Sequence, residues 1–476
     1  MNEKEASTPL SMNRRDFVKA SAIGASAVAL PSFLRSNPET GTSNREKLRI
    51  AIVGVGSKGI GPTVASVSEN VVALCDVDKG LIQRQRSETG QRGVEFDKAL
   101  RHHESNGAKW FQDYRIMFEE MTDQIDAVII STPDHMHYPI AMSAINLGKH
   151  VYCEKPLTHT VDEARKLAAA AKKKGVVTQM GNQGHSLDGT RNVREWIQAG
   201  VIGDIREVHS WTDRPAVYWQ QGLDQPDHSK AIPVIPEGLD WDLWQGVADR
   251  RAYDPAYVPF SWRAYVDYGC GALGDMACHI MDSAFWGLDL GSPTEIEAIT
   301  TKMNNFSFPV SSVVTYQFPA RGSMPPVTYK WYDGDLRPVI PEFLKDVEQL
   351  SQANFPSNGS LILGEGAAIL TDTYSQRAQI LPNDKFMELR SKLPPKTLPR
   401  IKASHLEEFY NAIKEGREAS SDFSYAGPFT ETVLLGVIAQ RTGRKLRFDG
   451  SAGKFIGDDE ANKLIAKDYP SGWILS

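Results

Sequence analysis

A short apolar run that ends in three spaced glycines constrains this chain more than any other feature. Leu48-Arg-Ile-Ala-Ile-Val53 is followed at once by Gly54-Val-Gly56-Ser57-Lys58-Gly59. The run reads as a buried parallel strand, because strands covered on both faces are apolar on both. The glycines then have separate tasks. Gly54 permits a tight turn, Gly56 lets a pyrophosphate approach the backbone, and Gly59 lets a helix pack closely on the strand. The helix start presents unpaired N–H groups to phosphate. A second apolar run, Val71-Val-Ala-Leu-Cys75, ends in Asp76, about 20 residues beyond Gly56, where a carboxylate accepts bonds from ribose hydroxyls. It would also repel a 2′-phosphate. The pattern predicts an NAD site built on Gly54, Gly56, Ser57, Lys58, Gly59 and Asp76.

Strands and helices go on alternating. Asp126-Ala-Val-Ile-Ile-Ser131 ends at Thr132-Pro133, and Pro139 to Gly148 reads as a helix. His150-Val-Tyr-Cys153 runs into Glu154-Lys155-Pro156, Thr160 to Lys174 reads as a helix, and Val176 to Met180 as a strand. The alternation predicts an α/β fold with a doubly wound parallel sheet. Thr132, Pro133, His137, Glu154 and Lys155 then fall at the carboxyl edge of that sheet, where ligands bind, and are assigned to the cofactor.

The first residues carry a different signal. Asn13-Arg14-Arg15-Asp16-Phe17-Val18-Lys19 precedes an Ala- and Ser-rich apolar stretch, Ala20 to Leu34. That stretch is short for a membrane span, which needs ~20 residues, and suits a signal peptide. The pattern resembles a twin-arginine export signal over 1–35, with a polar linker over 36–47. This route carries folded proteins, so the expected location is the periplasm or beyond, with the cofactor loaded first. The cysteines Cys75, Cys153, Cys270 and Cys278 show no C-x-x-C spacing, so unpaired buried thiols and no metal site are expected. A net charge of -6 gives no reason to expect a nucleic acid, or a membrane contact beyond export.

The Gly-rich turn, Thr132-Pro133 and Glu154-Lys155-Pro156 together resemble the Gfo/Idh/MocA oxidoreductases. The resemblance continues through Gly181-Asn-Gln-Gly-His185 and is strongest at Asp267-Tyr-Gly-Cys-Gly-Ala-Leu-Gly-Asp275-Met-Ala-Cys-His279. It implies a Rossmann domain over 48–180. A substrate-binding and oligomerisation α/β domain follows over 181–476, with an open, mostly antiparallel sheet. A homo-oligomer, dimer or tetramer, is the expected assembly. Lys155 matches the lysine of the family's E-K-P signature, which reaches the substrate hydroxyl. Asp275 and His279 match its D-x-x-x-H pair, so Lys155, Asp275 and His279 are the expected catalytic residues. His279, with an ordinary value near ~6.5, would take the hydroxyl proton. Asp275, four residues earlier, would fix His279 or hold an adjacent hydroxyl. His185, Arg191, Trp262 and Arg263 are candidates to line the substrate. The expected activity is NAD-dependent oxidation of a sugar or glycoside hydroxyl, with a tightly held cofactor. A redox-assisted glycosidase and a non-catalytic sugar-binding subunit are the alternatives. Pro319 to Phe355, rich in proline, reads as loops over the site or at an oligomer contact.

Overall fold

A computed structural model describes residues 46–229, 233–301 and 303–476. The expected export signal and most of the linker lie outside the described residues. Strands β1 (Arg49–Val53), β2 (Asn70–Cys75), β3 (Lys109–Phe111), β4 (Ala127–Ile130), β5 (His150–Cys153) and β6 (Thr178–Met180) form an all-parallel sheet. Their order is β3-β2-β1-β4-β5-β6. The order reverses between β1 and β4, which opens a crevice at their carboxyl ends. All four residues of β4 are fully buried. Each large side chain hidden this way contributes about 1.5–3 kcal/mol, which explains why the strand is apolar throughout.

Two glycines shape the crevice. Gly54 sits at φ +82, where a Cβ would stand 2.8 Å from the Ser131 carbonyl carbon. Helix α1 (Ile60–Ala65) starts beside Gly59, whose Cβ would stand 1.8 Å from the Gly54 carbonyl oxygen. Backbone, not a flexible side chain, occupies that space. Gly59→Ala should therefore cost at least about 1–3 kcal/mol and weaken NAD binding with it. Denaturant unfolding and an NAD titration of the variant check this. Unchanged stability would mean that the turn can open.

Helix α2 (Val161–Lys174) starts with a capping box between Thr160 and Glu163, and ends at Gly175 in the left-handed region. Lys172, Lys173 and Lys174 fill its last turn, where the helix dipole favours positive charge.

The remaining chain builds a nine-stranded sheet. Helix α3 (Asp188–Gln198) leads into β7 (Glu207–Trp211), and α4 (Gly271–Ile280) precedes β8 (Glu295–Thr300) and β9 (Ser312–Phe318). Then come β10 (Val327–Asp333), β11 (Gly359–Leu363), β12 (Ala368–Thr371), β13 (Ala378–Leu381), β14 (Leu446–Asp449) and β15 (Lys454–Phe455). The order is β13-β12-β11-β7-β10-β9-β8-β14-β15, and all pairings are antiparallel except β7 with β10. The stretch 319–355, read as loops, contains β10 in the middle of this sheet. Val327-Thr-Tyr-Lys-Trp-Tyr-Asp333 alternates buried and half-buried, as one covered face requires.

Two late segments tie the halves together. Helix α5 (His405–Glu415) places Leu406, Phe409 and Tyr410 in one apolar cluster with Ile50, Ile52 and Ile129. Lys414 pairs with Glu69 at 2.5 Å, and the Tyr410 hydroxyl meets Ser66 Oγ at 2.7 Å. Helix α6 (Phe423–Thr442) touches α2 through Gly427, beside Ala168, and the second sheet through Gly436, beside Tyr316. Finally, Arg115 lies over the Trp473 ring at 4.2 Å, and the Leu475 N–H donates to Ser143 Oγ at 2.9 Å. The C-terminal segment therefore lies on the first domain.

Candidate active site

The crevice is lined by strand ends that the dinucleotide pattern predicts. Asp76 Oδ2 accepts the N–H groups of Val55 and Gly56 at 2.8 and 3.0 Å, and Oδ1 accepts that of Asp78 at 2.9 Å. A carboxylate has about four lone-pair positions, so one remains for a ribose hydroxyl. Burial raises the Asp76 carboxyl, while those three N–H groups oppose the shift. Ser57, at φ +50, donates its N–H to Gln85 Oε1 at 3.0 Å. Lys58 Nζ stands 3.4 Å from Glu154 Oε1. Beyond the turn, Ser131 Oγ, Thr132 Oγ1 and Glu154 Oε2 are buried with no protein partner. Buried polar groups normally have one, so these three wait for a polar ligand. With the glycine cradle they fit a bound dinucleotide. Gly54, Gly56, Ser57, Lys58, Gly59, Asp76 and Glu154 would hold it with them.

His137 has a different setting. It is buried, with Nδ1 2.8 Å from the Pro156 carbonyl oxygen and Nε2 2.9 Å from that of Thr132. Burial lowers it to about 4, so the ring is neutral and only one of its two nitrogens donates. The residue ties the Thr132-Pro133 turn to the turn after Lys155.

Lys155 meets the second domain at α4. Its Nζ donates to the Asp275 carbonyl at 2.7 Å and to Asp275 Oδ1 at 2.8 Å. Arg263 Nε donates to the same Oδ1 at 3.0 Å. All three side chains are largely buried. Burial disfavours the Asp275 carboxylate, yet Lys155 and Arg263 together hold it well below the usual carboxylate range. Burial likewise pulls the Lys155 ammonium down, but the Asp275 charge prevails and the group is raised. Lysine has three donors. Two are committed to Asp275, and one remains for a substrate oxygen. Asp275 is thus bonded to Lys155 and Arg263, not to His279.

His279 lies one turn further along α4, with Nδ1 buried and unpartnered. Its ring stands edge-on to Tyr374, centroids 5.0 Å apart. Burial, with Lys155 and Lys58 adding to it, holds the imidazole well below its ordinary value. The value near ~6.5 expected from the sequence is therefore displaced downward. A residue that the motifs passed over, Asp134, is buried within the field of this group. Burial pushes it up to about 7, against Arg263 and Lys155. Its place directly after Thr132-Pro133 was the available signal.

The remaining candidates are placed as follows. His185 Nδ1 bonds the Asp282 carboxylate at 2.9 Å, and Tyr425 Oη donates to the same carboxylate at 2.5 Å. Arg191 spends its guanidinium on backbone, donating to the carbonyls of His185 at 2.6 Å and Pro399 at 2.7 Å. That leaves it in the wall rather than aimed at a ligand. Trp262 is buried in an aromatic cluster with Arg263 over its ring at 4.2 Å. All four cysteines are buried and unpaired.

Comparison with known proteins adds the lineage. Residues 48–182 match the model described as oxidoreductase family, NAD-binding Rossmann fold. Residues 190–320 and 383–475 match that of the same family's C-terminal alpha/beta domain. The chain is 30% identical over 173 residues to levoglucosan dehydrogenase of Pseudarthrobacter phenanthrenivorans, covering 36% of this chain and 35% of that one. It is 30% identical over 169 residues to a glycosyl hydrolase family 109 protein of Shewanella, covering 32% and 35%. The chain spans about a third of the length of these curated relatives. Among solved structures it is similar in fold to aldose-aldose oxidoreductase from Caulobacter crescentus, with a TM-score of 0.52 at 18% identity over 85% of this chain and 100% of that one. A levoglucosan dehydrogenase in complex with NADH and L-sorbose gives 0.52 at 16% identity, over 84% and 99%.

Proposed function

The chain belongs to the Gfo/Idh/MocA oxidoreductase family, and from that premise we propose that it oxidises a hydroxyl of a sugar or glycoside with NAD. One observation carries the reading. Lys155, which follows β5 and has one donor left, is held by Asp275 one helical turn from His279, whose ring nitrogen is unpartnered and on which Lys155 acts electrostatically. When bound, NAD supplies a hydride acceptor. Lys155 donates to the substrate hydroxyl and stabilises the charge that develops on it. His279 is neutral and accepts the proton at Nδ1. Positioned proton transfer of this kind contributes on the order of 10²–10⁴ in rate. Asp275 and Arg263 hold the Lys155 ammonium in place. The twin-arginine-like leader supports work outside the cytoplasm, with a cofactor that stays bound.

The test is direct. Denatured pure protein should release NAD, and some members of a panel of sugars and aryl glycosides should reduce the bound cofactor in a single turnover. A folded protein that neither contains nor binds NAD would sink the proposal. The pH profile gives a second check. His279 stays uncharged well below ~6.5, whereas Asp134, at about 7, titrates near neutrality. Any limb of kcat/KM near pH 7 should vanish in Asp134→Asn. A limb near ~6.5 that persists in that variant would return the titration to His279.

The likeness to a glycosyl hydrolase family 109 protein favours a second reading. Oxidising a ring carbon acidifies the neighbouring C–H, which permits loss of the leaving group; water then adds, and the carbonyl is reduced again. No net electrons leave. Aglycone release without a lasting keto-sugar would select this cycle, and keto-sugar as the sole product would select the dehydrogenase.

A further inference from the structure

The turn between β12 and β13 reaches this site from a part of the chain that carries no motif. It also lies in the stretch 321–382, which the family match skips. The Asp372 carboxylate organises it, accepting the N–H groups of Tyr374 at 3.2 Å, Gln376 at 2.8 Å and Arg377 at 3.2 Å. Ser375 hydroxyl donates to Ser283 Oγ at 2.8 Å. Two glycines then let the turn dock backbone to backbone. A Cβ on Gly184 would stand 2.6 Å from the Tyr374 carbonyl oxygen, and one on Gly189 would stand 1.8 Å from that of Ser375. No larger residue fits at either place without moving the turn.

That seat points the Tyr374 side chain at the chemistry. Its ring stands edge-on to His279 at 5.0 Å. Lys155, Asp275, Arg214 and Glu154 all act electrostatically on its phenol. Burial raises the phenol above its ordinary value, so it stays protonated and offers an O–H. Resting on the oxidoreductase reading above, we propose that Tyr374 reads the substrate: its hydroxyl donates to the sugar oxygen next to the one held by Lys155 and His279. The ligand class is a carbohydrate with vicinal hydroxyls, oxidised at one and recognised at the other. Tyr374 packs its ring on His279, and its phenol feels both Lys155 and Asp275, which sets it beside the pair that would hold the reacting oxygen.

Tyr374→Phe tests this, because it removes one oxygen and keeps the ring on His279. The panel is methyl and aryl glycosides, plus the monodeoxy analogues of whichever one reacts. For the full substrate, kcat/KM should fall about tenfold, mainly through KM, as for one lost hydrogen bond. The analogue lacking the vicinal hydroxyl should react equally well with both enzymes, as a double-mutant cycle requires. NAD affinity and melting temperature should not change. A variant that handles the full substrate like wild type would overturn the subsite and leave the function standing. An equal loss on every analogue would make the residue merely structural and overturn the subsite too. Wild type whose NAD is reduced by none of the sugars and glycosides tested would overturn both.

Discussion

Lys155→Met should lower turnover by on the order of 10²–10³, the usual size for losing one donor aimed at a developing oxyanion. The methionine keeps most of the stem that packs beneath the ammonium, so the loss reports on the charge and not on a hole. The variant should still bind NAD within a few-fold, because the glycine cradle, Asp76 and Glu154 are untouched. Single-turnover reduction of the bound cofactor, measured beside an NAD titration, separates the two effects. Turnover within tenfold of wild type would remove Lys155 from the chemistry. A matching loss of NAD affinity would make it a cofactor ligand first.

Asp275→Ala should destabilise the fold by about 3–5 kcal/mol, because it strands two buried cations that share its carboxylate. The sign with pH follows from the depressed carboxyl. Its contribution is complete above the unfolded value near ~3.9 and is lost only as pH falls through the lower folded value. The Asp275 carboxyl's own contribution is therefore the same at pH 6 and pH 8, and any smaller loss at pH 8 reports Asp134, which Asp275 repels and which ionises more readily beside the stranded cations. Adding Lys155→Met should cost less than the sum of the two changes, since it removes one stranded charge. Denaturant unfolding of the two single variants and the double variant checks this. Additive losses would mean that water reaches the cluster and the pair is weak.

Much of the first domain was legible because its signals are local. Strands buried on both faces are apolar throughout, and α2 announces itself by Thr160, Glu163 and Gly175. The second sheet was harder to read. Strand β10 hides among Pro319, Pro325, Pro326, Pro338 and Pro341, and its less covered face carries Thr328, Lys330 and Tyr332 between buried neighbours. Its alternation was visible, but the prolines around it suggested loops. The site divides in the same way. The glycines, Asp76, Lys155, Asp275 and His279 sit in motifs. What Asp275 touches does not, because Lys155 is 120 residues away, and a spacing of four pointed to His279 instead. Arg191 and His137 looked available as free polar side chains. Only the fold shows that backbone carbonyls take them. Tyr374 had no signal of its own, since a glycine seat more than 180 residues earlier decides where it points.

The return of α5 and the last residues onto the first domain sets an order on synthesis. A ribosome makes a chain from its N-terminus at about 5–20 residues per second, and domains usually close as they emerge. Here part of the packing of the nucleotide-binding core is supplied by residues made much later. Leu406, Phe409 and Tyr410 fill it from one side, and Trp473 and Leu475 brace it from the other. Those side chains are made more than 350 residues after β1, so the domain translated first is among the last to be fully packed.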